Sequence, residues 1–298
     1  MATRLDGRVI RDARTQELAK RVASLSTVPA LMIIQVGDRA DSTAYIEQKK
    51  KLGTQIGIEV TVRRFPVDVS EQELLAALGE ENRREEVSGI IVQLPLPEHL
   101  SVFRVIEGID PARDVDGLTA VNVKKLQAGD TSGLVPATAK GIGSLLEAYN
   151  ISVAGAKVTV VGRSMLVGKP TAQLLLARDA TVTVAHSRTG DLAAATREAD
   201  ILIVATGAPG LIGAEHVRAG QVVVDVGINL MTGEQFEEEI PGKTFVGDVA
   251  FEEVEGIVAA ISPVPGGVGP MTVLSLFENC VEAHERKNSR AAESQRKE

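Results

Sequence analysis

The sequence predicts a two-domain α/β protein with mostly parallel sheets, the second domain Rossmann-like, and a cleft between the two. Three observations carry this expectation. The chain has 298 residues, enough for two domains of ordinary size. Apolar, β-branched runs alternate with helical patterns along nearly its whole length. The periodicity breaks once, between Asn122 and Pro136, where Gly129, Asp130, Ser132 and Gly133 cluster.

The first half supplies three strands, Ala30 to Val36, Glu59 to Phe65 and Gly89 to Leu94. Asp41 or Ser42 can cap a helix running to about Gly57. A second helix spans Glu71 to Glu86, and Ser70 with Glu73 spells a capping box at its start. Beyond the break a helix runs from Ala139 to Tyr149. Strands follow at Lys157 to Val161, Thr181 to Ala185, Ile201 to Ala205 and Val222 to Val226, with Thr244 to Gly247 and Ile257 to Ile261 as shorter runs. The loop Pro263 to Pro270 then leads into a helix from Met271 to Glu285, and Arg286 to Glu298 reads as a frayed, solvated tail. The division expected is residues 1–123 with a returning helix 270–298 as the substrate domain, and 124–269 as a dinucleotide-binding domain.

Composition narrows the function. Hydrophobic residues make up 44 % and charged ones 24 %, the balance of a soluble globular protein. A net charge of -8 and the lack of a long basic run argue against nucleic acid as a partner. No uncharged apolar stretch is long enough for a membrane helix, and the first residues lack a signal peptide's apolar core. Cys280 is the only cysteine, so a reducing, cytoplasmic location is expected. His99, His186, His216 and His284 are scattered, and no metal is expected.

Two segments carry chemistry. Lys157 to Val161 ends in Gly162-Arg163-Ser164, with Gly168 and Pro170 opening the next helix; a strand, tight turn and helix N-terminus form an anion site. Serine replaces the second glycine of the usual dinucleotide fingerprint, and an ordinary β–α turn would read the same way. The following strand ends in His186-Ser187-Arg188, where an NAD site usually has a carboxylate. Arg163, Ser187 and Arg188 favour a 2′-phosphate, and hence NADP, unless Arg188 is simply a solvated loop residue.

The second segment is the helix after Val36-Gly37-Asp38. Tyr45, Lys49, Leu52 and Ile56 fall on one stripe, so the tyrosine and lysine share a core-directed face. A lysine there either snorkels or, desolvated, has its pKa lowered toward proton transfer.

Together these segments resemble the methylenetetrahydrofolate dehydrogenase/cyclohydrolase family. The match runs through Val36-Gly37-Asp38 with Ser42, Tyr45 and Lys49, then Val92 to Pro97, Asp114 to Gly117, Val161 to Ser164 with Val167 to Pro170, His186 to Thr189, and Pro263 to Thr272. The resemblance implies oxidation of 5,10-methylenetetrahydrofolate with NADP and hydrolysis of the methenyl product to 10-formyltetrahydrofolate, in a homodimer. It implies that Lys49 transfers protons, Tyr45 stacks near the folate ring, Gln93 orients the lysine and Asp116 grips the pterin's polar edge. Val92, Leu94, Pro265, Gly266, Gly267, Val268 and Gly269 would line the substrate cleft, and Gly162, Arg163, Ser164, Ser187, Arg188 and Ile228 would contact NADP. The chain departs from the family where Pro136-Ala137-Thr138-Ala139 replaces Pro-Cys-Thr-Pro and where Arg113 replaces lysine.

Two rivals share these features. A short-chain dehydrogenase also uses Tyr-x-x-x-Lys, but after its dinucleotide fold, whereas Tyr45 and Lys49 precede Gly162. A non-catalytic folate-binding protein would have no use for Lys49, Gln93 and Asp116 together.

Overall fold

A computed structural model describes residues 2–231 and 244–295. In chain order the elements begin with β1 (Thr3–Arg4), α1 (Gly7–Ala23), β2 (Ala30–Val36), α2 (Ala40–Ile56), β3 (Glu59–Phe65), α3 (Glu71–Arg83) and β4 (Gly89–Val92). Then come α4 (Val102–Glu107), α5 (Ala120–Gln127), α6 (Ala137–Ala148), β5 (Lys157–Val161), α7 (Gly168–Leu176), β6 (Thr181–Ala185) and α8 (Leu192–Arg197). The remainder are β7 (Ile201–Val204), β8 (Val222–Asp225), β9 (Asn229–Met231), β10 (Thr244–Val246), α9 (Phe251–Val254), β11 (Ala260–Ile261) and α10 (Val268–Gln295).

The chain divides into two compact units, one of Met1–Asp12 with Thr138–Thr272 and the other of Ala13–Ala137 with Val273–Glu298. The sequence-based boundaries shift at three places, the smallest being residues 270–272, which stay with the 138–272 unit. Residues 1–12 join the 138–272 unit because β1 pairs with β11. Residues 124–137 join the 13–137 unit, held by the Leu134 N–H donating to Asn122 Oδ1 and by Asn279 Nδ2 donating to the Val135 carbonyl.

In the 13–137 unit three parallel strands run in the order β3-β2-β4. Every residue of β2 is buried, as its unbroken apolar run demands of a strand covered on both faces. Ile34, Val36, Ile90 and Val92 pack on one side with Leu74 and Leu78 of α3 and Val105 of α4. The capping box forms as the sequence predicts: the Glu73 N–H donates to Ser70 Oγ and the Ser70 N–H to Glu73 Oε2. Helix α2 ends on Gly57, whose φ of 87° is open to glycine at little cost. Its cap lies two residues before the nearer expected one: Arg39 is the N-cap without a side-chain cap bond, and Ser42 is buried in the first turn. The Asp41 side chain lies outside the described residues.

In the 138–272 unit six parallel strands run in the order β1-β11-β8-β7-β5-β6. Strand β5 has its successor β6 on one side and β7 on the other, the reversal that defines a doubly wound nucleotide fold. The expected strands at 257–261 and 244–247 shorten to β11 and β10. The tail differs more: α10 continues through Gln295, so residues 286–295 are helical.

Candidate functional site

The stripe on α2 brings Tyr45 and Lys49 to one face, with Leu52 and Ile56 buried below them. Lys49 is 9 % exposed and its Nζ donates to Gln93 Oε1 at 3.0 Å. Gln93 sits just past the end of β4, where its own N–H continues the strand ladder to the Ile34 carbonyl and its Nε2 donates to the Leu94 carbonyl at 2.8 Å. Both ends of the amide are thereby fixed, so Oε1 faces the lysine. The Tyr45 ring centroid lies 6.0 Å from Lys49 Nζ, at the limit of a cation–π contact.

Burial lowers the Lys49 pKa to about 8, opposed by the charge of Asp116. Asp116 responds in the other sense: burial, then the neighbouring Asp114, raise it to about 6, while Lys49 pulls it down. Asp114 is fully buried and accepts from the N–H groups of Gly117 and Thr119 and from Asn122 Nδ2, so it builds the turn. Gly117 has a φ of 70°, and an added Cβ would stand 2.7 Å from Pro136 N, so the turn requires glycine. Among the described residues the Asp116 carboxylate has no protein hydrogen-bond donor, which leaves its oxygens for a ligand. A desolvated amine, a fixed amide, an aromatic ring and a ligand-ready carboxylate thus gather in one unit.

Val92 and Leu94 flank Gln93, but the Val92 side chain is buried in the core with Ile34 and Leu74. Only its backbone remains for a cleft. Pro265 through Gly269, expected to line the substrate site, belong to the other unit, where they border a cleft with Asp225 through Ile228 and Phe245.

The nucleotide signature has the predicted geometry. Gly162 has a φ of 123°, and an added Cβ would reach within 2.1 Å of the Ala205 carbonyl oxygen. A Cβ on Gly168 would meet the Gly162 oxygen at 2.3 Å, so turn and helix press together as a close backbone approach to phosphate requires. Ser164 does more than replace a glycine: its Oγ accepts from the N–H groups of Val167 and Gly168, ordering the turn that enters α7. Arg163, Ser187 and Arg188 are exposed at the ends of β5 and β6, and no carboxylate stands at the β6 end. These residues fit a dinucleotide bearing a 2′-phosphate. Ile228 is 48 % exposed beside the cleft.

Sequence reasoning missed two buried carboxylates in this unit. Asp225 accepts from the N–H groups of Gly227, Asp248 and Val249. Asp248 accepts from the N–H groups of Thr206 and Gly207 and from Asn229 Nδ2. The available signal was an aspartate closing an apolar strand and followed two residues on by glycine, Asp225-Val226-Gly227.

Two family models match the chain. Residues 5–116 match the catalytic domain of tetrahydrofolate dehydrogenase/cyclohydrolase, and residues 136–288 match its NAD(P)-binding domain. The bifunctional protein FolD of Lactococcus lactis is 43 % identical over 286 residues, 95 % of this chain and 97 % of that one. A crystal structure of the bifunctional methylenetetrahydrofolate dehydrogenase/cyclohydrolase from Campylobacter jejuni is similar with a TM-score of 0.89 at 39 % identity, covering 96 % of this chain and 100 % of that one. The Trypanosoma brucei enzyme, complexed with NADP and an inhibitor, gives a TM-score of 0.90 at 36 % identity, covering 96 % and 98 %.

Proposed function

The chain belongs to the tetrahydrofolate dehydrogenase/cyclohydrolase family, and on that premise we propose that it oxidises 5,10-methylenetetrahydrofolate with NADP and hydrolyses the product to 10-formyltetrahydrofolate. The observation that carries the reading is the buried Lys49 amine, held by Gln93 with Asp116 nearby.

NADP, when bound, accepts the hydride from the carbon bridging N5 and N10. The protein's contribution to that step is orientation. The 138–272 unit binds the dinucleotide with the Gly162 turn at the pyrophosphate and with Arg163, Ser187 and Arg188 around the 2′-phosphate. Asp116, ionised, accepts from the N–H groups on the pterin's polar edge, and the Tyr45 ring stacks against the folate.

Hydrolysis places more chemistry on the protein. Neutral Lys49 takes a proton from the water as its oxygen bonds to the cationic methenyl carbon. The carbon–N5 bond then breaks, N5 takes up the hydroxyl proton, and the formyl group stays on N10. Overall one water is consumed and one proton released. Gln93 keeps the Lys49 amine directed at the reacting carbon.

The chain's place in the cytoplasm and its assembly as a homodimer are part of the proposal. The buried, unpaired Cys280 thiol suits a reducing compartment. Strand β6 is the outer strand of its sheet, with Thr183 and Val184 exposed, and two such edges pairing about a twofold axis would close the assembly.

The test is an absorbance assay with methylenetetrahydrofolate and either NADP or NAD, alongside hydrolysis of methenyltetrahydrofolate. Oxidation that runs equally well with NAD would remove the role given to Arg163, Ser187 and Arg188. Absence of both reactions would remove the functional reading.

A further inference from the structure

In a doubly wound fold the pyrophosphate crosses the sheet at its switch point, here between β5 and β7. The adenosine half lies toward β6, so the nicotinamide half falls over the ends of β7 and β8. Asp225 closes β8, and Asp248, two residues past β10, accepts from the turn that follows β7. Together Asp225 and Asp248 accept six donors: Gly227, Asp248 and Val249 N–H on the first, Thr206 and Gly207 N–H and Asn229 Nδ2 on the second. The donors come from three separate segments, after β7, after β8 and after β10.

The packing is reciprocal. A Cβ on Gly227 would lie 2.2 Å from Asp248 Cγ, and one on Gly247 would lie 1.9 Å from Asp225 Oδ2. Each glycine therefore exists to let the other segment's carboxylate approach the backbone. Ser262 adds β11 to the same cluster, accepting from the Asp225 N–H and donating to its carbonyl. The segment so gripped, Val226 to Ile228, is one wall of the cleft whose other wall is Pro263 to Gly269.

Resting on the nucleotide reading above, we infer that Asp248 is a positioning residue for hydride transfer. It ties the Thr206–Gly207 turn to Asn229 and so sets where the nicotinamide ring stops, without touching the ring itself. Hydride transfer is steeply sensitive to that position, whereas hydrolysis, whose proton relay is Lys49, is not.

Asp248→Asn tests this. An amide presents one accepting oxygen, so its NH2 must face either Asn229 Nδ2 or the Thr206 and Gly207 N–H groups, and one link is lost. The dehydrogenase kcat is expected to fall between about ten- and a hundredfold, with a larger isotope effect for substrate deuterated at the transferred position. Hydrolysis of methenyltetrahydrofolate is expected to stay within about twofold of wild type, which also certifies the fold. Gly227→Ala, which pushes a methyl group onto the same carboxylate, is expected to produce the same selective loss. Dehydrogenase activity within about twofold of wild type in both variants would overturn the inference. So would a parallel fall of both activities with the melting temperature, which would mark the carboxylate as structural only. A wild-type chain unable to oxidise the folate with NADP would instead sink the functional reading.

Discussion

Lys49 is costly to the fold and useful for the same reason. Burial makes it release its proton near about 8 rather than 10.5, and Asp116 holds its proton up to about 6 rather than 3.8. Water activation needs the neutral amine and pterin binding needs the ionised carboxylate. Hydrolysis should therefore accelerate as pH rises through these values and level off above about 8, which a pH series of kcat/KM will check. A rate that declines over the same range would assign the lysine the opposite role. The linkage with stability runs the same way. Between about 8 and 10.5 the unfolded chain holds a proton on this lysine that the folded chain does not, so its contribution to stability improves with pH across that window. Below the window the full penalty stands, about 3 kcal/mol. Lys49→Met should accordingly abolish hydrolysis, retain NADP binding and gain about 1–3 kcal/mol in urea unfolding at neutral pH, part of the gain being offset by the acceptor left on Gln93.

At the scale of elements, α3 offers the cleanest measurement. Ser70→Ala removes one arm of its capping box and should cost about 1 kcal/mol of stability in urea titration while leaving both activities intact. That helix was readable because its cap, period and end all lie within one short stretch of sequence. The same holds for Tyr45 and Lys49, whose shared face follows from helical spacing alone, and for Gln93, which ends an apolar strand. What could not be read depends on distant partners. Strand β1 is two residues long and exists because β11 offers it a parallel edge. Helix α5 fell within the stretch whose glycines signalled a break, and it stands because buried Asn122 bonds the Pro111 carbonyl and Asp114. Helix α1, not foreseen, buries only the side chains of Thr15, Leu18 and Val22 along its inner side, and its start is capped by Asp6, whose Oδ1 accepts from the Arg8 N–H. The extension of α10 past Glu285 has no apolar stripe to announce it; alanine, glutamate, arginine and glutamine carry it by propensity. Asp248 was silent, and Asp225 signalled only through the glycine two residues on, for a related reason: their donors follow β7, β8 and β10 and meet only on folding.

For the whole molecule, the exposed edge at β6 makes a prediction about assembly. Val184→Lys puts a charge on the strand proposed to pair, and should convert dimer to monomer in sedimentation measurements while each unit stays folded. A wild-type chain that sediments as a monomer would remove the β6 assignment. The opposite edge of the same sheet is closed by β1, which pairs with residues more than 250 positions later. During synthesis that strand emerges more than 250 residues ahead of its partner. At roughly 5–20 residues per second, the opening segment waits on the order of ten to fifty seconds for the strand that will hold it. A chain interrupted before Ala260 leaves Thr3 and Arg4 without the strand they pair with, so this edge of the sheet closes only once a segment more than 250 residues further along has been made.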